Sequence, residues 1–99
     1  MSDFDHSAID ELLQSRVRLA IVAYLASARQ ADFSLLRDAI KTTDGNASVH
    51  LRKLEDAGYL VTEKSDARPS AGTSVALTGA GRRALDDYTT TLRAILDGV

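Results

Sequence analysis

The sequence predicts a mainly α-helical domain with one small antiparallel β-hairpin set between its third and last helices. Three observations carry that prediction. Ala47, Leu51 and Leu54 stand at i, i+4 and i+7 in a segment bounded by Asp44 and Gly58, the period of a helix with one buried face. Residues 59–65 and 73–77 read as two strands, with Val75 and Leu77 alternating inward, on either side of a loop, 66–72, that contains Pro69 and Gly72. After Thr78, the residues Leu85, Tyr88, Leu92 and Ile95 or Leu96 follow one another at three or four positions, as on an amphipathic helix.

The totals bound the answer. A chain of 99 residues with 44% apolar content is expected to be one domain, 1–99, with a modest core and little surplus. Without cysteine it has neither a disulfide framework nor a thiolate metal site, and a cytoplasmic setting is expected. No apolar run is long enough to span a bilayer, and the acidic start MSDFDHSAID is unlike a secretory or transit signal, so a soluble, unprocessed chain is expected. The net charge of −2 weighs against a nucleic-acid partner, but Asp3, Asp5, Asp10 and Glu11 precede any cation, and the remainder sums to +2. The stretch 41–68 is balanced in sign. The expectation is therefore a local cationic face on a protein that is not basic.

In chain order, residues 1–7 are expected to fray and a short helical turn to run over 7–13. Ser15 then caps a helix over 16–28, with Val17, Ala20, Ile21, Tyr24, Leu25 and Ala28 on one stripe that Leu19 and Val22 widen. A helix apolar on more than one side needs a second cover, from the N-terminal turn, the last helix or a partner chain. Ser34 is read as the cap of a second helix reaching Lys41, with Leu35, Leu36, Ala39 and Ile40 apolar. Thr42 and Thr43 turn into the third helix, 44–57, capped by Asp44 and released at Gly58, with Ala57 near the end of its buried stripe. Two helices joined so briefly form a helix-turn-helix, whose second member lies in the DNA groove while the first crosses the backbone.

The outer face of that third helix carries Asn46, Ser48, Val49, Arg52 and Lys53. Short hydrogen-bonding groups near the start and cations a turn later suit base edges and phosphates respectively. Asn46, Ser48, Val49 and Arg52 are assigned to the major groove, and Lys53, Ser34, Lys41 and Thr43 to phosphates. In the loop region, Lys64 and Arg68 complete the set, with Arg68 placed to enter a narrow A·T-rich minor groove. The plainer alternatives are a solvated amphipathic face and an ordinary loop arginine.

The run from Ser48 to Val61, SVHLRKLEDAGYLV, resembles the recognition helix and first wing strand of winged-helix transcriptional regulators of the MarR and ArsR type, above all the compact single-domain members. LTGAGRRAL, Leu77 to Leu85, is similar to their passage from strand to closing helix. The resemblance extends from about Ile9 to Leu96. It implies a winged helix-turn-helix in the order α-(short β)-α-α-β-β-α, with a small strand near 31–33, a wing over 65–73 and a closing helix over 79–96 that supports dimerisation. The implied function is that of a homodimeric, sequence-specific regulator on double-stranded DNA. Leu85, Tyr88, Leu92, Ile95 and Leu96 have no later element to cover them and are the expected dimer seam. Val49 departs from the pattern, where many relatives carry arginine or another polar residue, and the wing has one arginine where relatives often have several.

Other chemistry finds little support. His6 and His50 lie far apart with no cysteine to join them, so no metal or other cofactor is expected, and His50 reads as packed or phosphate-touching. GAGRRAL lacks the third glycine and the lysine of a phosphate loop, and no nucleophile motif is present, so an enzyme is not expected. The rival is a winged helix that docks a protein instead of DNA, favoured by near-zero local charge and opposed by Asn46, Ser48, Arg52 and Lys53. A weaker reading adds a small-molecule effector between the first and last helices.

Overall fold

A computed structural model describes residues 10–64 and 72–98. After a 3-10 turn, Glu11–Gln14, the elements are α1 Arg16–Ala28, β1 Gln30–Asp32, α2 Phe33–Ala39, α3 Asp44–Asp56, β2 Leu60–Lys64, β3 Thr73–Leu77 and α4 Gly79–Asp97. This is the expected order, mainly helical with a small antiparallel sheet. The sheet has three strands in the order β1-β3-β2, with Ala31 opposite Val75 and Leu60 opposite Leu77. β3 is central, and Val75 at its middle is fully buried.

The helices begin where side chains can take up free N–H groups. Ser15 accepts from the Arg18 N–H and Thr78 from the Gly81 N–H, as their positions before α1 and α4 predicted. For α3 the cap is Thr43 and not Asp44: Thr43 is extended and its Oγ1 accepts from the Asn46 N–H, while Asp44 is already helical and held by Arg37. Ser34 is no cap either. α2 starts two residues earlier, with Asp32 at its N-cap and no side-chain bond there, so Ser34 lies inside the first turn, and Phe33 belongs to α2 and not to β1. Of the predicted turn over 7–13, the described part is a 3-10 turn over Glu11–Gln14, and residues 7–9 lie outside the described ones.

Both helices of the helix-turn-helix end in the same way. After α3, the Gly58 N–H bonds to the Glu55 carbonyl and the Tyr59 N–H to Leu54, with Gly58 left-handed at φ 83. After α2, the Lys41 N–H bonds to Asp38 and the Thr42 N–H to Arg37, with Lys41 left-handed at φ 56. α2 therefore stops at Ala39, short of the predicted Lys41, at a turn that normally favours glycine.

Leu13, Ile21, Val22, Leu25, Leu36, Leu51, Leu54, Leu60 and Val75 form one core drawn from every layer. The predicted α3 stripe is its floor, with Ala47 at 1%, Leu51 at 5% and Leu54 at 0% exposure. Truncating Leu54 to Ala removes a wholly buried side chain and is expected to destabilise by about 2–5 kcal/mol. Ala57 and Ala28, read as stripe residues, are exposed, since each stands at a helix end past the last core contact. Among the described residues, no helix is long and apolar enough to cross a membrane.

Gly81 sets how closely α4 approaches the exit of α3. A Cβ there would run into the Tyr59 carbonyl oxygen and lie 2.6 Å from Leu77 Cδ1. Thr78 ties the same corner: its hydroxyl donates to the Gly58 carbonyl at 2.6 Å and its N–H to the Tyr59 carbonyl at 3.0 Å. The start of α4 therefore rests on the backbone that leaves α3.

Candidate nucleic-acid interface

With Ala47, Leu51 and Leu54 turned inward, helical geometry puts Val49, Arg52 and Lys53 on the opposite side of α3, with Ser48 at its edge. All four are exposed, Val49 at 55%. An exposed valine between polar neighbours is suited to apolar contact with a thymine methyl group. Arg52 and Lys53 of this face, together with Lys41 at the helix-turn-helix turn and Lys64 at the end of β2, form no ion pairs among the described residues. These four exposed cations are thus not held in ion pairs, and the nearest carboxylate on the same face of α3 is Asp56, one turn beyond Arg52.

Asn46 is exposed at the start of α3, but its side-chain amide donates to Thr42 Oγ1 at 2.7 Å. Its N–H is the one that Thr43 caps, so Thr43, assigned to phosphate from the sequence, spends its hydroxyl on the helix start. Ser34 is exposed in the first turn of α2. Arg68 and most of the wing, 65–71, lie outside the described residues.

Arg37 escaped the sequence reading. From α2 its Nε reaches Asp38 Oδ1 at 2.9 Å and its Nη1 reaches Asp44 Oδ1 at 2.5 Å. Hydrogen bonds to Asp38 first and Asp44 second raise its already high pKa, so it stays cationic at any working pH. It neutralises two carboxylates beside the N-terminal end of α3, where they would repel a phosphate. A pair seven residues apart across a turn leaves no periodic signal in a sequence.

His50 lies beside the buried stripe, half-buried, with Nδ1 3.0 Å from Arg18 Nη1. Burial, then the charges of Arg18 and Lys53, lower its pKa. Arg18 also donates from Nε to the Leu12 carbonyl at 2.7 Å, and Tyr59 donates its hydroxyl to Asp10 at 2.5 Å. That bond, with burial second, pushes the Tyr59 pKa up to about 12. Among the described residues no three His, Asp or Glu side chains are grouped to hold a metal ion.

The geometry thus defines a helix-turn-helix unit whose second helix is backed by leucine and fronted by unpaired cations. Residues 17–96 match the family model described as winged helix DNA-binding domain. The chain is 35% identical over 78 residues to an uncharacterised protein of Methanocaldococcus jannaschii, a match covering 79% of this chain and 85% of that one. It is 34% identical, at a TM-score of 0.84, to a transcriptional regulator homologue from Pyrococcus horikoshii OT3, covering 90% of this chain and 88% of that one. A MarR-family transcriptional regulator from Silicibacter pomeroyi shares the fold at a TM-score of 0.70 and 22% identity, over 87% of this chain and 62% of that one. The chain belongs to the winged helix DNA-binding domain family. It is a compact winged-helix DNA-binding protein of the transcriptional-regulator type.

α4 divides in two. Leu85 and Tyr88 pack against the core, whereas Leu92 and Ile95, also half-buried, lie beyond it and Leu96 is 65% exposed. A shallow cavity of about 310 Å³ lies where α4 passes Asp10 and Tyr59, lined also by Arg83, Asp87 and Tyr88.

Proposed function

We propose that the protein is a cytoplasmic, homodimeric regulator that binds double-stranded DNA sequence-specifically, with α3 in the major groove and the wing, residues 65–73, near the minor groove. The observation that carries this reading is the outward side of α3, where Val49, Arg52 and Lys53 stand exposed opposite three buried residues, with Ser48 at the edge. Ser48, Val49 and Arg52 read base edges, and the free Oδ1 end of Asn46 joins them at the helix start. Lys53, Lys41 and Lys64 neutralise phosphates, Ser34 and the backbone at Thr43 approach them, and Arg68 enters the minor groove.

The dimer forms through α4. Leu92, Ile95 and Leu96 extend the stripe that Leu85 and Tyr88 begin in the core, and pairing with a second copy removes them from water. A two-fold dimer demands a pseudo-palindromic site with half-sites one helical turn apart, on the order of 10 base pairs. Among the described residues, the cavity beside Asp10, Tyr59 and Arg83 is lined by α4 and not by α1, so a small effector held there would sit beside the last helix and not between the first and last.

Binding selection on random duplex DNA, run at two salt concentrations, tests this reading. It predicts an enriched two-fold motif whose affinity falls steeply with salt. Failure to enrich any motif contradicts it.

A further inference from the structure

Residues 10–14 hold the recognition helix at two separate points. Arg18 of α1 donates from Nε to the Leu12 carbonyl at 2.7 Å and lies with Nη1 3.0 Å from His50 Nδ1 on α3. Asp10 accepts the Tyr59 hydroxyl at 2.5 Å, one residue past the left-handed exit of α3 at Gly58. Just after these ties Leu13 is completely buried, so the turn itself is anchored in the core. A guanidinium is planar, with donors in a fixed fork, so fixing one prong fixes the direction of the other.

We propose that Arg18 is a positioning residue for DNA recognition: its fork transmits the placement of residues 10–14 through His50 to α3, and Asp10–Tyr59 repeats the tie at the end of the helix. The inference rests on the reading that α3 meets DNA. Arg18 touches no DNA in this account. It fixes the pose of a helix whose other side does.

The fork has a chemical condition. Arg18 has only donors, so His50 Nδ1 accepts from it, and the ring carries its single proton on Nε2. The charged groups acting on the ring are Arg18 from α1 and Lys53 from its own helix, both cations. The 3-10 turn contributes the Leu12 carbonyl to Arg18, and its Asp10 is engaged by Tyr59. A second proton on the ring would occupy Nδ1, remove the acceptor and set two cations 3.0 Å apart. Acidification opens the tie.

The test measures affinity for a selected duplex between about pH 5 and pH 8. Wild type is expected to weaken about fivefold toward the acidic end, the scale of one lost hydrogen bond. His50→Asn, whose Oδ1 accepts near the Nδ1 position and does not titrate, should match wild type at the alkaline end and stay flat. Arg18→Lys, which lacks the fork, should bind about fivefold more weakly throughout. Affinity that rises on acidification would mean that His50 addresses phosphate, and a His50→Asn profile falling like wild type would mean that the ring is not the switch. Either result overturns the proposal. If wild type binds no duplex at any pH, the DNA reading fails, and amide hydrogen exchange of the free protein decides the tie separately. Arg18→Lys should then speed exchange in α3 about fivefold and leave α4 unchanged, and equal exchange in both helices overturns it.

Discussion

Gly81 stands against the Tyr59 carbonyl oxygen with no room for a methyl group between them. The first turn of α4 thereby rests on the backbone that leaves α3, and Thr78 locks the contact through Gly58. Glycine inside a helix is ordinarily a weakness that alanine corrects by up to about 1 kcal/mol. Here the sign reverses: Gly81→Ala is expected to destabilise by about 1–3 kcal/mol through overpacking. Gly45→Ala, where a Cβ meets nothing within 4 Å, is expected to be neutral or stabilising. Thermal unfolding of the two variants checks the contrast.

Lys41 holds a left-handed conformation that L side chains avoid, at about 1–2 kcal/mol. Lys41→Gly relieves that strain but adds freedom to the unfolded chain, for a net gain of about 0.5–1 kcal/mol and a melting temperature higher by several degrees. The same change removes an exposed cation, so duplex binding should weaken as stability rises. Melting curves and binding isotherms on one preparation read both signs.

Leu92→Asp places a charge on the exposed stretch of α4 beyond the core. Sedimentation is expected to shift from dimer to monomer while the monomer fold, set by Leu85 and Tyr88 and the layers below, remains. A dimer of unchanged strength would locate the interface elsewhere.

Stability should fall at both ends of the pH range. The folded pKa of His50 lies below 6.5, so as pH drops through 6.5 the unfolded chain takes a proton that the folded one does not. Stability is full above that value, declines as pH falls toward the folded pKa and levels off below it. Tyr59 has the opposite sign. Its folded pKa of about 12 exceeds 10.0, so the unfolded chain loses its proton first and stability declines as pH rises from 10.0 toward 12. Denaturation midpoints across pH, compared with His50→Asn and Tyr59→Phe, separate the two contributions.

The sequence made the long elements legible because their signals are local. The bounds of α1 and β3 and the start of α4 follow from short-range patterns and from Ser15 and Thr78, each the obvious cap at its place. The start of α3 was harder. Thr42, Thr43 and Asp44 are all capping types, and the choice falls to Thr43 because Arg37, seven residues back, claims Asp44. β1 exists only by pairing with β3, more than forty residues away, so three residues of sequence place it poorly. Lys41 gives no glycine signal for its turn, and the sequence places α2 two residues too far along the chain at both ends. Of the site, the α3 face was readable from its period, whereas Arg37 and Arg18 act across elements and emerge only when the chain is folded.

The central claim is that the outward side of α3 meets the duplex, and the salt dependence of binding by an Arg52→Ala/Lys53→Ala double variant tests it most directly. Each neutralised phosphate contributes about 0.9 to the slope of log affinity against log salt. Removing both cations should flatten that slope by about one, through Lys53, and weaken binding further through the lost base contact of Arg52, with stability kept within about 0.5 kcal/mol of wild type. An unchanged slope with unchanged affinity would contradict the account, since DNA would then be held by some other surface.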